Sequence, residues 1–285
     1  MFSMPSFELQ GHRGARGWRP ENTLPSFEFA LDQRVDSIEV DLQLSRDAEM
    51  VIVHDFNLSS SWRESPPRIV DCNLVEIRAG LVDRNPSPTN FPDQRAELPE
   101  LSVQFARERE IDPYHVPTLK NLFDFVKAYA VCDQKSIDQR ANAVRVILDL
   151  EIKSIPFFQP FPEQIIERLL KTLHEEEMIS RCRVRAFDHL VVREILRREG
   201  HLQGGVLIAG TAPCSPAQLV EAASAHFYCP DYRFLSEADV QQVHRAGYRV
   251  LPWTVNDPVA MAKLVSWGVD GITTDFPRRL DFPNP

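Results

Sequence analysis

The chain has 285 residues, 43% hydrophobic and 26% charged, enough apolar material for a large core and one or two domains. Its formal charge of -9, from 32 Lys and Arg against 41 Asp and Glu, argues against a nucleic-acid or anionic-membrane surface, since both reward dense basic residues. Five scattered cysteines (Cys72, Cys132, Cys182, Cys214, Cys229) form no CxxC pair, so neither a disulfide framework nor a zinc site is expected, and a reducing cytoplasm is the default location. No window approaches the roughly 18 apolar residues of a membrane span, so no integral membrane contact is expected.

Apolar runs of strand length recur along the chain. They fall at Phe7 to Gln10, Ser37 to Leu42, Met50 to Val53, Val144 to Ile152, Arg183 to Phe187, Gly205 to Ile208, His226 to Cys229, Arg249 to Trp253 and Gly271 to Thr273. Between them lie helical spacings, as in Leu24, Phe27, Ala30 and Leu31, in Ile165, Ile166, Leu169, Leu170 and Leu173, and in Val240, Val243 and His244. Strand then helix, repeated, predicts a parallel sheet. The Val144 to Leu150 and Gly205 to Ile208 runs read as apolar on both faces, as expected of strands between helices and a packed barrel interior. One (β/α)8 TIM barrel spanning residues 1–285 fits the length. Residues 56–117 break the rhythm, with eight of the 22 prolines and a lone glycine, Gly80. This stretch is expected to be an insertion over the catalytic mouth, or else a surface excursion with no catalytic part.

Glu39 and Asp41 stand two apart on a predicted strand, so both side chains leave one face while Ile38, Val40 and Leu42 leave the other. Two carboxylates aimed at one point repel, and a divalent cation is the simplest compensation. Oxygen-only ligation favours Mg2+ or Ca2+ over zinc. Glu151 and Lys153 repeat the geometry at the end of another apolar strand, adding a third carboxylate and a phosphate partner. A lone charged pair of this kind is usually a solvated strand edge. These pairs end strongly apolar strands, where barrel enzymes gather their reacting groups. His12 and His54 each follow a predicted strand and so could reach one mouth; two imidazoles can divide acid and base work near neutral pH. Arg13, beside His12, can grip a phosphate through parallel N–H donors.

The order Gly11-His12-Arg13-Gly14, Pro20-Glu21-Asn22-Thr23-Leu24, Ile38-Glu39-Val40-Asp41 and Val53-His54-Asp55 closely resembles the glycerophosphodiester phosphodiesterases. Later blocks are similar to that family too: Val116-Pro117-Thr118-Leu119, Leu150-Glu151-Ile152-Lys153, Phe187-Asp188, Trp253-Thr254-Val255-Asn256, and Asp270 through Pro277. The resemblance implies a (β/α)8 barrel with an insertion after the second half of the first motif, His12 and His54 as the catalytic pair, and Glu39, Asp41 and Glu151 as ligands of a divalent metal. It implies phosphate contacts from Arg13 and Lys153, and a pocket lined by Phe187 and Trp253, for which barrel-top packing is the competing reading. The implied reaction is attack of the glycerol 2-hydroxyl on phosphorus, through a cyclic phosphate, ending in glycerol 3-phosphate and an alcohol. A lysophospholipase D acting on an acylated substrate, and a phosphate-binding barrel without activity, stand as alternatives. Departures at Asn57 to Ser61, Ala48 and Ala186 fall on the substrate side rather than among the metal ligands.

Overall fold

The computed structural model describes residues 7–58, 66–79, 91–155, 157 and 162–278. Eight strands run parallel in the order β8 (Arg249–Val250), β7 (Phe227–Pro230), β6 (Gln203–Ile208), β5 (Cys182–Ala186), β4 (Ile147–Ile152), β2 (Ser37–Leu44), β1 (Glu8–Gly11) and β9 (Gly271–Thr274). Two backbone hydrogen bonds, from Asp270 N to Val250 O and from Thr273 N to Pro252 O, both 3.0 Å, tie the ends together. The result is the nearly closed TIM barrel that the strand–helix alternation implies. Around it lie α1 (Leu24–Asp32), α2 (Leu74–Ala79), α3 (Glu100–Glu108), α4 (Leu119–Ala130), α5 (Ile137–Arg145), α6 (Pro162–Glu175), α7 (His189–Arg198), α8 (Pro216–Ala222), α9 (Glu237–Arg245) and α10 (Pro258–Ser266).

The helices start where the sequence supplies caps. Thr23, Ser136, Ser215 and Ser236 each accept a hydrogen bond from the backbone N–H three residues on. Helix burial then holds the layer: Leu24, Phe27, Ala30 and Leu31 of α1 and Ile165, Ile166, Leu169 and Leu173 of α6 join Leu9, Ile38, Val40, Leu148 and Leu150 of the strands in one core.

Two expectations change. The run Met50 to Val53 is not a barrel strand; β3 (Met50–Ile52) turns back antiparallel on β2, pairing Leu42 with Ile52. The five residues Ser45 to Glu49 are too few for a crossover and close a hairpin instead. The run beginning at Val144 is also split. The capping box at Ser136 carries α5 through Arg145, leaving Val144 60% exposed, and β4 begins at Ile147. Nor is that strand apolar on both faces, since Asp149 and Glu151 point into the barrel opposite Leu148 and Leu150. The Gly205 to Ile208 run does keep both faces apolar, with Val206 toward the helices and Leu207 toward Phe227, Cys229 and Leu251 inside.

Most of the described parts of the insertion lie on the flank. Ile69, Cys72 and Ile77 pack with Val51 and Val116. Helix α3 is pinned to α1 by the buried Glu28 carboxylate, which accepts from Ser102 N (2.8 Å) and Ser102 Oγ (2.6 Å). At the top, Gln94 Nε2 donates to Arg16 O, and Phe91 rests against Phe276. Whether the insertion reaches over the mouth falls on residues 59–65 and 80–90, which lie outside the described residues.

Candidate active site

The loop after β1 is folded by its own sequence. Arg13 has φ +50° and Gly14 φ +85°, and a Cβ on Gly14 would fall 2.5 Å from Ser26 Oγ, so only glycine fits there. Ser26 Oγ in turn accepts from Ala15 N (2.8 Å) and donates to Arg13 O (2.9 Å), which fastens the loop to the first turn of α1. A left-handed arginine costs about 1 kcal/mol, and strain of this kind collects where placement matters. It turns the Arg13 backbone N–H onto Glu39 Oε2 (2.9 Å) and brings Nε to 3.1 Å from Asp41 Oδ2.

Glu39 and Asp41 of β2 meet Glu151 of β4 because the two strands are in register, Asp41 opposite Glu151. One carboxylate oxygen from each lies within 4.8 Å of the others, and all three residues are buried. Lys153 Nζ donates to Glu151 Oε1 (3.0 Å), stands 3.7 Å from Asp41 Oδ1 and lies over the Phe56 ring. Glu39 Oε1 and Asp41 Oδ1 are buried with no hydrogen-bond partner. Such atoms are costly unless something satisfies them. A hard divalent cation fits this all-oxygen set.

The electrostatics agree. Burial, followed by the charge of Asp41, pushes the Glu39 carboxyl up to about 8. Against the cost of burial, Arg13 and Lys153 hold Asp41 below the usual carboxylate range. Burial and then Arg13 push the His12 imidazole down, although Asp275 opposes them. Lys153, also buried, is nonetheless raised by Glu151 and Asp41 and stays charged.

The two histidines arrive by different routes. His12 is continuous with β1, and its Nε2 is 3.8 Å from Glu39 Oε2. His54 sits beyond the hairpin, where Val53 N donates to Asp41 O (2.9 Å), and a protonated His54 would help hold Asp41 down. Its backbone is gathered by the Gln43 amide, which donates to Val53 O (2.9 Å), His54 O (3.3 Å) and Asp55 O (2.8 Å). Phe187 and Trp253, at the ends of β5 and β8, meet edge to face with centroids 5.6 Å apart; Trp253 Nε1 donates to Cys229 O. The structure thus brings His12, Arg13, Glu39, Asp41, Glu151, Lys153 and His54 into one cluster, and pairs the two aromatics with each other.

Four polar residues in this neighbourhood escape a reading by motif chemistry alone. Gln43 continues the Glu39, Asp41 alternation by one more step. Asn22, at φ +55°, donates to Asp41 Oδ2 (2.9 Å). Arg185 places Nη2 3.6 Å from Glu39 Oε1, and Asp275 contacts His12. Arg185 carries an i, i+2 partner, Arg183, in the sequence, a signal of a charged inward face.

Acidic oxygens, two imidazoles and buried cationic side chains gathered at the C-terminal mouth of a (β/α)8 barrel point to a class, the phosphodiester hydrolases built on this fold. The model of the glycerophosphoryl diester phosphodiesterase family matches residues 12–279, and the chain belongs to that family as a glycerophosphodiester phosphodiesterase. A glycerophosphodiester phosphodiesterase of Caldanaerobacter subterraneus subsp. tengcongensis is 28% identical over 274 residues, 94% of each chain. One from Bacillus subtilis is 26% identical, covering 93% of this chain and 82% of the relative. Among solved structures, a protein assigned as a glycerophosphoryl diester phosphodiesterase from Silicibacter pomeroyi DSS-3 superposes with TM-score 0.79 at 27% identity, over 96% of this chain and 92% of that one. An Oleispira antarctica phosphodiesterase in complex with the product sn-glycerol-3-phosphate shares the fold with TM-score 0.73 at 21% identity, over 96% and 94%.

Proposed function

We propose that the chain hydrolyses glycerophosphodiesters, such as deacylated phospholipid head groups, to glycerol 3-phosphate and an alcohol, using a divalent cation, Mg2+ or Ca2+, and two histidines. The observation that carries this is the convergence of Glu39, Asp41 and Glu151 oxygens within 4.8 Å, with the His12 imidazole against Glu39. The product held by the Oleispira antarctica structure supports the choice of substrate class.

A cation held by the three carboxylates would supply positive charge to a phosphoryl oxygen and to the attacking hydroxyl. The protein's own groups do the rest. Arg13 and Lys153, both buried and charged, face the charge that builds on the phosphoryl group and are worth most in a site with little water. Of His12 and His54, one takes the proton of the glycerol 2-hydroxyl as it attacks phosphorus and the other protonates the departing alcohol; water then adds to the cyclic phosphate, the same pair taking the water's proton and returning one to the 2-oxygen as its bond to phosphorus breaks, which leaves glycerol 3-phosphate. Phe187 and Trp253 wall the pocket. Arg13 and Lys153 offset the carboxylates that a substrate anion would otherwise meet, and a cation held there would add to that positive charge.

The whole chain is one catalytic unit, and its five free cysteines suit a reducing cytoplasm. Among the described residues no helix is long and apolar enough to cross a membrane. A second reading, hydrolysis of an acylated lysophospholipid, is favoured by apolar side chains left exposed in loops that follow barrel strands, Ile155, Phe187 and Phe234.

The test is release of glycerol 3-phosphate from glycerophosphocholine with added Mg2+ or Ca2+, with lysophosphatidylcholine run in parallel. Turnover abolished by a chelator is expected. Binding without turnover of either substrate would overturn the proposal in favour of a non-catalytic phosphate-binding barrel, and preference for the acylated substrate would favour the second reading.

A further inference from the structure

Asp275 lies 263 residues from His12 in the chain, yet the parallel pairing of β1 with β9, Gly11 opposite Thr274, sets the two residues side by side. His12 N donates to Thr274 O (2.9 Å) as the ladder continues. The side chains then meet, His12 Nδ1 to Asp275 Oδ1 at 2.6 Å, with both residues buried.

The carboxylate is itself built in. Its Oδ2 accepts from Asn256 Nδ2 (2.6 Å), while Asn256 Oδ1 accepts from Asp275 N (2.9 Å) and from Thr274 Oγ1 (3.1 Å). One amide thus grips the backbone and the side chain of the same aspartate. From the other side Gly17 N donates to Asp275 O (2.8 Å), and a Cβ on Gly17 would fall 2.3 Å from Phe276 Cε1, so the loop after β1 can close on this segment only with glycine there. Against burial, the His12 and Asn256 hydrogen bonds hold the Asp275 carboxyl below its usual range. An ionised carboxylate only accepts, so the hydrogen between the two must sit on His12 Nδ1.

We propose that Asp275, buttressed by Asn256, is the positioning residue for His12: it fixes the imidazole as the Nδ1–H tautomer and turns bare Nε2 toward the Glu39 carboxylate and the substrate. This rests on the phosphodiesterase reading above. Nε2 lies on the Glu39 side, 3.8 Å from Oε2, which is where an unprotonated nitrogen can reach a substrate oxygen. Among the described residues His54 has no equivalent. Its Nδ1 partner is Asp55, the next residue in the chain, whose side chain is 82% exposed and therefore screened by water.

The experiment compares Asp275→Asn, Asn256→Ala and Asp55→Asn with wild type in the metal-loaded enzyme. Both kinetics and the ¹⁵N spectrum of the His12 ring are read; the His12 signals are identified by their loss in His12→Gln. Asp275→Asn is expected to lower kcat by on the order of 10³-fold to 10⁴-fold, as a wrong imidazole tautomer does elsewhere, with KM within about threefold and the circular dichroism unchanged. Its His12 spectrum should lose the pure Nδ1–H form. Asn256→Ala should lower kcat by about tenfold, and Asp55→Asn by less than Asp275→Asn. Wild-type kcat and an unaltered His12 tautomer in Asp275→Asn would overturn the proposal; should that variant fail to fold, wild-type kcat and spectrum in Asn256→Ala would do so. Because the tautomer is read without turnover, an inactive wild type would sink the phosphodiesterase reading while the spectra still decide this one.

Discussion

The inside of the barrel is divided into two unlike halves. On β1, β2, β4 and β5 the inward side chains are Glu8, Gln10, Ser37, Glu39, Asp41, Gln43, Asp149, Glu151, Arg183 and Arg185, all buried. On β6, β7 and just past β8 they are Leu207, Phe227, Cys229 and Leu251, which pack as a small apolar cluster under Trp253. The polar half is a chain of alternating charge. Glu8 pairs with Arg183, Arg183 Nε donates to Asp149 Oδ2 (2.8 Å), Arg185 lies 3.5 Å from the same oxygen, and its other nitrogen faces Glu39. Every charge below the mouth has an opposite neighbour until the carboxylate cluster, where Glu39 Oε1 and Asp41 Oδ1 stand without hydrogen bonds. The apolar half contributes mainly burial, with the Arg183 guanidinium resting over the Phe227 ring, 4.9 Å from its centroid. One half therefore supports chemistry at its top by leaving buried carboxyl oxygens without hydrogen bonds, and the other adds apolar burial that such a half lacks.

Substitutions in the two halves should fail differently. Glu39→Gln or His54→Ala should lower kcat/KM by at least about 10³-fold while leaving the unfolding transition near that of wild type, because the loss is chemical. Glu8→Gln, at the foot of the charged chain, should do the opposite, removing about 3–5 kcal/mol of stability by stranding Arg183, with kcat little changed. Arg183 and Ser37 hold the Glu8 carboxyl below its usual 4.5 despite burial. A carboxyl lowered in the folded state stabilises at pH above its unfolded value and loses that contribution as pH falls through the folded value. Urea titrations should accordingly show wild-type stability falling below about pH 4.5, and a shallower fall in Glu8→Gln. In the apolar half Leu207→Ala should cost about 2–4 kcal/mol by leaving a cavity beside Phe227 and Leu251, at any pH and with kcat unchanged. A Leu207→Ala enzyme with impaired chemistry would break the division. The smallest effect is expected at Ala48, which has φ +61° in the β2–β3 hairpin; Ala48→Gly should raise stability by up to about 1 kcal/mol by relieving a left-handed alanine.

The sequence carried much of this division. Alternation along β2 and the end of β4 is enough to put Glu39, Asp41, Glu151 and Lys153 on inward faces, and strand–helix repetition is enough for the barrel. What alternation cannot show is which neighbours a side chain finds across the sheet. Asp275 belongs to a recognisable block, but its part depends on β9 closing onto β1 across nearly the whole chain. The i, i+2 spacing of Arg183 and Arg185 signals a charged inward face, but only the register with β4 shows that Asp149 stands beside them. Met50 to Val53 has the composition of a buried strand, and only the short Ser45 to Glu49 turn makes it a hairpin arm that delivers His54 from outside the barrel order. Val144 reads as strand from its own type and as helix from the cap eight residues before it; the cap prevails because it completes hydrogen bonds that a lone valine cannot.

The most direct test is calorimetric titration of Mg2+ and Ca2+ into the apoprotein and into Glu39→Gln, Asp41→Asn and Glu151→Gln. One site per chain is expected, weakened at least about tenfold in each variant, since each removes a carboxylate from the same cluster. Wild-type affinity in Glu151→Gln, or a cation bound equally well by all three variants, would contradict the assembly of a single metal centre from β2 and β4.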